Sequence, residues 1–353
     1  MIAVGRAHDA AALLRRHLDA NRGGLLLRLT LQKALAASGD PSAALGVARE
    51  TALTHPGVAP AALALGEALR ASGHLPAAIG ECQRALRLDP NLVEARIALG
   101  AAWLDAGEAE KALDAWRAVA GHCTSAELSA GIAEAERILT APRSDPRYVR
   151  QLFDQFAPDY DSRMLSQLHY NAPTVLRQLG KFLGLGIGGG CAILDLGCGT
   201  GLMGEEVRQW GSRLDGVDLS PGMIQKARAR EIYDALFESD ICSWLAEPGR
   251  NYDIIFAADT VVYLGDLAPL LAVAAGRLCR GGHFLFTGEW KEGEGFELGP
   301  ERRWRHSESY LRGAAESAAL TIAGLMNCEP RTEAGVPVPG FAVALAGVPR
   351  SRE

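Results

Sequence analysis

Residues 193–204 read ILDLGCGTGLMG, with one carboxylate at Asp195 and glycines at 197, 199 and 201. The apolar run before the glycines suits a buried strand, and the residues after them suit a helix. A glycine turn at such a junction lets backbone N–H groups at the helix start meet a polar group of a ligand. Twenty-three residues beyond Asp195, GVDLSPGMI places a second acid, Asp218, at the end of another strand-like run. A carboxylate there can accept hydrogen bonds from both hydroxyls of a ribose.

The bare turn fits a dinucleotide or S-adenosylmethionine, and its neighbours separate the two. Asp195 stands two residues before the first glycine, where it would repel a pyrophosphate but can accept from an ammonium. The spacing is G-x-G-x-G, without a clean G-x-G-x-x-G continuation. LDLGCGTG resembles the first motif of the class I S-adenosylmethionine-dependent methyltransferases, and the likeness runs over residues 150–353. The resemblance implies that Gly197, Cys198 and Gly199 admit the methionine part, with Asp195 near its amino group. It implies that Asp218 holds the ribose and that Leu219 and Met223 flank the adenine. Asp240 and the N–H of Ile241 would read the adenine edge. Ala257, Asp259 and Thr260 follow the fourth strand, and ligands in such sheets bind beyond the carboxyl ends of strands, so these three should border the methyl donor.

Methyl transfer is an in-line displacement from a sulfonium, which asks for alignment, exclusion of water and, for a protonated acceptor, a base. No metal is required. His169 and His306 are the proton-acceptor candidates, because imidazole titrates near neutral pH. His306 lies in EWKEGEGFELGPERRWRHSESYLR, which also supplies Glu289, Trp290, Arg305 and, one helical turn later, Tyr310. We expect His306 and Tyr310 to reach over the end of the fourth strand and orient or deprotonate the acceptor. Tyr160, in FDQFAPDYDSRMLSQLHY, would close from the other side, since in relatives this helix folds over the cofactor as a lid. Tyr263 reads as a packing residue.

The elements that must position these residues alternate. AILDLG, LDGVDLS, YDIIFAA and GGHFLFTGE read as buried strands, separated by helical stretches such as SPGMIQKARAREIY and LAPLLAVAAGRLC. This is the pattern of an α/β fold with a Rossmann-like doubly wound sheet, of the seven-stranded methyltransferase type by resemblance. VPVPGFAVALAG reads as a closing, alternating strand that pairs with LTIAGLMN at an antiparallel edge.

The N-terminal part repeats. Leu31, Leu65 and Leu99 are spaced by 34, as are Gly39, Gly73 and Gly107, and Ala44, Ala78 and Ala112. In each unit the glycine ends a first helix, and small residues such as Gly100 and Ala112 fall where helices touch. RIALGAAWLDAGEAEKALDAW resembles the tetratricopeptide repeat at Leu99, Gly100, Trp103, Gly107, Ala112 and Trp116. The likeness gives repeats at about 25–58, 59–92 and 93–126, the first weakest because Gln32 and Ala48 replace its usual glycine and aromatic. AELSAGIAEAERILTA would cap the solenoid, and APRSDPR breaks it. The expected domains are therefore an all-α tetratricopeptide-repeat domain, 1–141, and an S-adenosylmethionine-dependent methyltransferase domain, 142–353.

Lys plus Arg total 36 against 42 Asp plus Glu, without long like-charge blocks, so no field favours nucleic acid or an anionic membrane. The seven cysteines, 82, 123, 191, 198, 242, 279 and 328, form no CxxC pair and suit a reducing cytoplasm. Residues 1–21 lack a signal peptide's apolar centre, and no run of eighteen apolar residues occurs, so a soluble cytoplasmic protein is expected. N-terminal repeats with an RHS…Y stretch resemble a subgroup described as trans-aconitate-methyltransferase-like. The expected function is methylation of a small-molecule acceptor, with oxygen favoured, and repeats serving assembly or covering of the site. The alternatives are a protein or carrier-bound substrate recruited by the repeats, and a non-catalytic scaffold. Retention of Asp195 and Asp218 argues against the scaffold. The mixed groove residues Leu29, Lys33, Leu63, Glu67, Arg70, Ile97 and Ala101 form no basic clamp.

Overall fold

The computed structural model describes residues 6–21, 24–121, 125–299 and 301–347. Cys123 and residues 1–5 lie outside them. The chain divides into two compact units, Met1–Ala141 and Pro142–Glu353. Among the described residues no helix is long and apolar enough to cross a membrane.

Among the described residues the first unit's regular elements are all helices: α1 (Ala7–Asn21), α2 (Leu25–Ala37), α3 (Pro41–Thr54), α4 (Ala59–Ala71), α5 (Leu75–Leu88), α6 (Val93–Asp105), α7 (Ala109–Ala120) and α8 (Ala126–Thr140). Helices α2, α4 and α6 end alike. Gly39, Gly73 and Gly107 adopt φ of 82°, 76° and 75°. The next residue's N–H then bonds back to a carbonyl five residues earlier: Asp40 to Leu35 at 3.1 Å, His74 to Leu69 at 2.9 Å and Glu108 to Trp103 at 2.9 Å. That closure needs the left-handed conformation, which glycine adopts without steric cost, and it turns each helix onto the next. At the α6–α7 crossing a Cβ on Gly100 would overlap the Trp116 indole, whose Nε1 donates to the Ile97 carbonyl at 3.1 Å. The glycine lets the two backbones approach, and the large ring fills the space between them.

The second unit begins with α9 (Pro146–Phe156), the short α10 (Tyr160–Ser162) and α11 (Ala172–Phe182). Strand and helix then alternate as β1 (Cys191–Leu196), α12 (Leu202–Val207), β2 (Gly211–Asp218), α13 (Pro221–Ala229), β3 (Ala235–Glu238), α14 (Ile241–Ala246), β4 (Tyr252–Ala257), α15 (Ala268–Arg277) and β5 (Leu278–Trp290). The chain closes through β6 (Phe296–Leu298), β7 (Trp304–His306), α16 (Glu308–Ser317), β8 (Leu320–Cys328), β9 (Thr332–Glu333), β10 (Val336–Pro337) and β11 (Gly340–Gly347). The main sheet runs β3-β2-β1-β4-β5-β11-β8, with β1 to β5 parallel and β11 antiparallel to both neighbours. Successive residues of the strands feed opposite layers. Ile193, Phe256 and Leu285 pack with Leu176 and Leu179 of α11, while Leu194, Leu196 and Phe284 pack with Leu270 and Leu271 of α15. Both faces are covered, which is why the central residues of these strands are mostly apolar on both sides.

Two expectations about the C-terminal part change. β11 pairs with β8, but it also pairs with β5 and so lies inside the sheet; β8 takes the edge. Its residues 340–345 are all buried, so the strand is apolar on both faces and does not alternate. The stretch after β5 is also part of the sheet, because β7 continues it beside β5 with Glu289 opposite Arg305 and Trp290 opposite His306.

Candidate active site

The carboxyl ends of β1, β2 and β4 open on one cleft, with about 680 Å³ of space between its atoms, open solvent included. Gly197, Gly199, Asp218, Leu219, Asp240 and Ile241 line it, and Tyr160 faces it from α10. The glycine turn has positive φ at all three positions, 67°, 54° and 99° for Gly197, Gly199 and Gly201. A Cβ on Gly197 would overlap the Thr260 side chain, whereas one on Gly199 would meet no atom within 4 Å. The first glycine thus lets β1 and β4 close up, and the second keeps the mouth of the turn clear.

Asp218 ends β2 with each oxygen accepting one backbone N–H: Oδ2 from Gly199 at 2.8 Å and Oδ1 from Ser220 at 2.8 Å. Burial pushes its carboxyl up to about 6 against the pull of those N–H groups. A carboxylate oxygen has more than one lone pair, so Asp218 keeps acceptor capacity toward the cleft.

The segment expected from the resemblance to act as a lid is tied to these loops. Asp154 of α9 accepts from the Ser220 hydroxyl at 2.5 Å and from the Gly222 N–H at 3.2 Å. Asp161 of α10 accepts from the Thr200 hydroxyl at 2.5 Å and from Arg230. Both acids bridge this segment to the turns after β1 and β2. Tyr160 stacks edge-on against Phe153, which stacks likewise on Tyr263, and burial raises both tyrosine hydroxyls, that of Tyr263 to about 12. These phenols stay protonated at neutral pH.

Several expected site residues stand elsewhere. Asp195 is 1% exposed and lies beneath the turn, outside the cleft lining. Its Oδ2 accepts from the Tyr233 hydroxyl at 2.6 Å and its Oδ1 has no hydrogen-bond partner. Burial, with the nearby Asp218 charge adding to it, raises this carboxyl to about 7 despite the Tyr233 bond. Cys198 turns inward onto Ile224 and Ala227, and Met223 is wholly buried. Ala257 is buried too, and its neighbour Ala258 lines the cleft instead. Asp240 does line the cleft, but its carboxylate is engaged. Oδ1 caps α14 through the Ser243 N–H and hydroxyl, and Oδ2 accepts from Arg143 at 2.5 Å. Burial alone would raise this carboxyl, but Arg143 and Ser243 outweigh it and hold it low.

The expectation of His306 as a base is corrected. The ring is fully buried, and Nε2 lies 2.9 Å and 3.0 Å from the carbonyls of Leu264 and Gly265. Carbonyls only accept, so Nε2 carries the proton. Burial lowers the imidazole to about 4 although both carbonyls pull it upward. Tyr310 stacks on this ring, donates to Asp266 at 2.8 Å and accepts from the Leu267 N–H at 2.6 Å. The pair braces the loop between β4 and α15, and neither ring lines the cleft. His169 is exposed on a separate, shallower cleft with Tyr170, Trp290 and Arg331.

Residues absent from the sequence-based site complete it. Arg143, in the stretch read as an interdomain break, lines the cleft and clamps Asp240. Asp259, which the sequence did place beside the methyl donor, lines the cleft with Thr260; it sits at φ 55° after β4, its N–H donating to Thr287 at 2.9 Å. Arg331 donates to its Oδ1 at 2.7 Å and Arg303 to its Oδ2 at 3.2 Å, while Arg331 also bridges to Glu289 and Glu333. No local sequence signal marks Arg143 or Arg331; only their acidic partners made them visible. Among the described residues no cluster of three or more metal-ligating side chains occurs.

Residues 193–282, from β1 through the start of β5, match the family model described as methyltransferase domain. Trans-aconitate 2-methyltransferase of Paracidovorax citrulli is 34% identical over 92 residues, covering 26% of this chain and 35% of that protein. Malonyl-[acyl-carrier protein] O-methyltransferase of Serratia marcescens is 32% identical over 142 residues, 39% of this chain and 51% of that protein. The chain thus spans about half or less of these relatives' length. The crystal structure of magnesium protoporphyrin IX methyltransferase from Synechocystis PCC 6803 with bound S-adenosylhomocysteine superposes with a TM-score of 0.45 and 17% identity, over 58% of this chain and all of that one. The β1-to-β5 segment that builds the cleft is accordingly similar in sequence to a methyltransferase domain.

Proposed function

We propose that the second unit methylates a small-molecule acceptor, at oxygen in preference to nitrogen or carbon. The observation that carries this reading is the juxtaposition of Gly199, whose absent side chain opens the turn, with Asp218, which retains free lone pairs at the same cleft. These residues fit an adenosyl amino acid: the turn admits its methionine end, Asp218 accepts from its ribose hydroxyls, and Leu219 with the Ile241 N–H receives the adenine. The bound donor supplies an electrophilic methyl group on sulfur. The chain's own part is to align the acceptor, with Tyr160 and Phe153 excluding water.

We infer also that the first unit is a set of tetratricopeptide repeats, supported by the repeated glycine closure of α2, α4 and α6. Its proposed role is assembly or covering of the catalytic unit. A second reading, in which the repeats recruit a carrier-bound substrate, is favoured by one relative's printed substrate, malonyl-[acyl-carrier protein].

Calorimetry with S-adenosylhomocysteine tests the core of the proposal. The parent should bind, and Asp218→Ala should weaken binding by roughly 1.5–3 kcal/mol for each charged hydrogen bond lost. Equal affinity of parent and variant would remove Asp218 from the ribose site.

A further inference from the structure

Residues 142–144 form a strap that is built into the second unit. The Pro142 carbonyl accepts from the N–H groups of Gly265 and Asp266, each at 2.9 Å, and the Ser144 N–H donates to the Tyr263 carbonyl at 2.9 Å. Arg143, between them, bridges to Leu264. The loop that receives the strap is itself fixed, because His306 shares its Nε2 proton between the Leu264 and Gly265 carbonyls and Tyr310 donates to Asp266. The backbone that carries Arg143 is therefore set before any ligand arrives, with Arg143 and Ser144 in the wall of the cofactor cleft.

The Arg143 side chain is only partly used. Nη2 donates to Asp240 Oδ2 at 2.5 Å, whereas Nε is buried without a hydrogen-bond partner and Nη1 makes no hydrogen bond among the described residues. The side chain is 34% exposed. With Nε sealed off, Nη1 is the donor left for a ligand. Asp240 beside it keeps one acceptor site. Oδ1 is spent on the Ser243 N–H and hydroxyl, while Oδ2 takes Arg143 on one lone pair and retains the other. Burial opposes ionisation here, but Arg143 and Ser243 outweigh it, so the carboxylate stays an acceptor.

The pair thus presents an acceptor and a donor side by side in the cleft wall next to Ile241. Adenine has the complementary edge, a donor at the N6 amino group beside an acceptor at N7, which is the edge that a carboxamide reads in DNA through one acceptor and one donor. A purine with oxygen at position 6 offers two acceptors there and does not match. Resting on the reading of this unit as a methyltransferase, we propose that Arg143 determines cofactor specificity: Nη1 donates to N7 of the adenine while Asp240 Oδ2 accepts from its N6 amino group. N1, on the other side of that amino group, is left to the Ile241 N–H. A planar fork suits this double task, since one nitrogen holds the acid and the next holds the base.

Calorimetry of the full chain with S-adenosylhomocysteine and with its 7-deaza analogue, in which C–H replaces N7, isolates the contact. We expect the parent to bind S-adenosylhomocysteine on the order of tenfold more tightly than the analogue, as loss of one charged hydrogen bond implies. Arg143→Met should bind the two ligands alike, each more weakly than the parent binds S-adenosylhomocysteine. Arg143→Lys, whose single ammonium cannot span Asp240 and N7 as a fork does, should show a preference between those of parent and Arg143→Met. The ratio of the two affinities is the readout, because a variant that merely disturbs Asp240 or the strap weakens both ligands together. A parent that binds the two alike, or an Arg143→Met variant that keeps the parent's preference, would overturn the proposal. The first of these results needs no variant to fold. Failure of the parent to bind S-adenosylhomocysteine at all would instead overturn the methyltransferase reading beneath it.

Discussion

Asp195 places a carboxyl beneath the glycine turn where it is costly to ionise, and its replacement by asparagine has a signed consequence. The side chain is 1% exposed with Oδ1 unpartnered, and burial lifts it from 3.8 to about 7. A carboxyl whose folded-state value is raised favours the folded protein when protonated. That contribution is complete below the unfolded value and is lost as pH rises through about 7. At pH 8 the ionised carboxylate costs about 4 kcal/mol relative to the unfolded chain, and at pH 5 the residual cost is about 1.5 kcal/mol, at 1.36 kcal/mol per pKa unit. An asparagine in its place would keep an acceptor for the Tyr233 hydroxyl and cannot ionise. Asp195→Asn should therefore gain about 2–3 kcal/mol over the parent between pH 5 and pH 8. For a unit of this size that corresponds to roughly 5–10 °C in melting temperature. The assay is thermal unfolding of the full chain at both pH values, following in each protein the transition that the substitution shifts. A variant-minus-parent difference that is the same at pH 5 and pH 8 would refute the reasoning, because the buried charge would then cost nothing.

The affinity of the parent for S-adenosylhomocysteine should fall as pH drops through about 6, where Asp218 takes up a proton and loses its acceptor capacity; the Asp218→Asn variant should show a flatter calorimetric profile. Gly197→Ala should destabilise the second unit by about 1–2 kcal/mol from the left-handed backbone alone, with overlap onto Thr260 adding to it, as read by urea denaturation. Gly199→Val should carry the same left-handed backbone strain, at φ 54°, and in addition weaken binding, because its branches enter the cleft, so S-adenosylhomocysteine calorimetry on the folded variants separates the two glycines. His306→Ala should lower the melting temperature by removing the brace on the β4–α15 loop, while His306→Gln, able to donate to the same carbonyls, should keep more of it; neither should introduce or abolish a kinetic pKa near 6.5, the unperturbed imidazole value, in the pH dependence of kcat.

What the sequence determined by itself is what rests on neighbouring residues. Glycines 39, 73 and 107 were legible as helix ends because the closure is made within six residues and needs a backbone that only glycine adopts freely. The strand–glycine–helix turn at 193–204 and the acid ending β2 were legible for the same reason, since each is a local pattern whose chemistry follows from its order. Alternating apolar and helical runs likewise announced a parallel sheet. What only the tertiary structure decided is where each polar side chain points and what meets it. Tyr233 reaches Asp195 across 38 residues, Leu264 meets His306 across 42, Arg331 reaches Asp259 across 72 and Arg143 reaches Asp240 across 97. An acid or imidazole has the same type in a cleft or under a loop. Burial and the partner at the far end of the loop set its proton affinity and role, and both exist only once the strands have stacked.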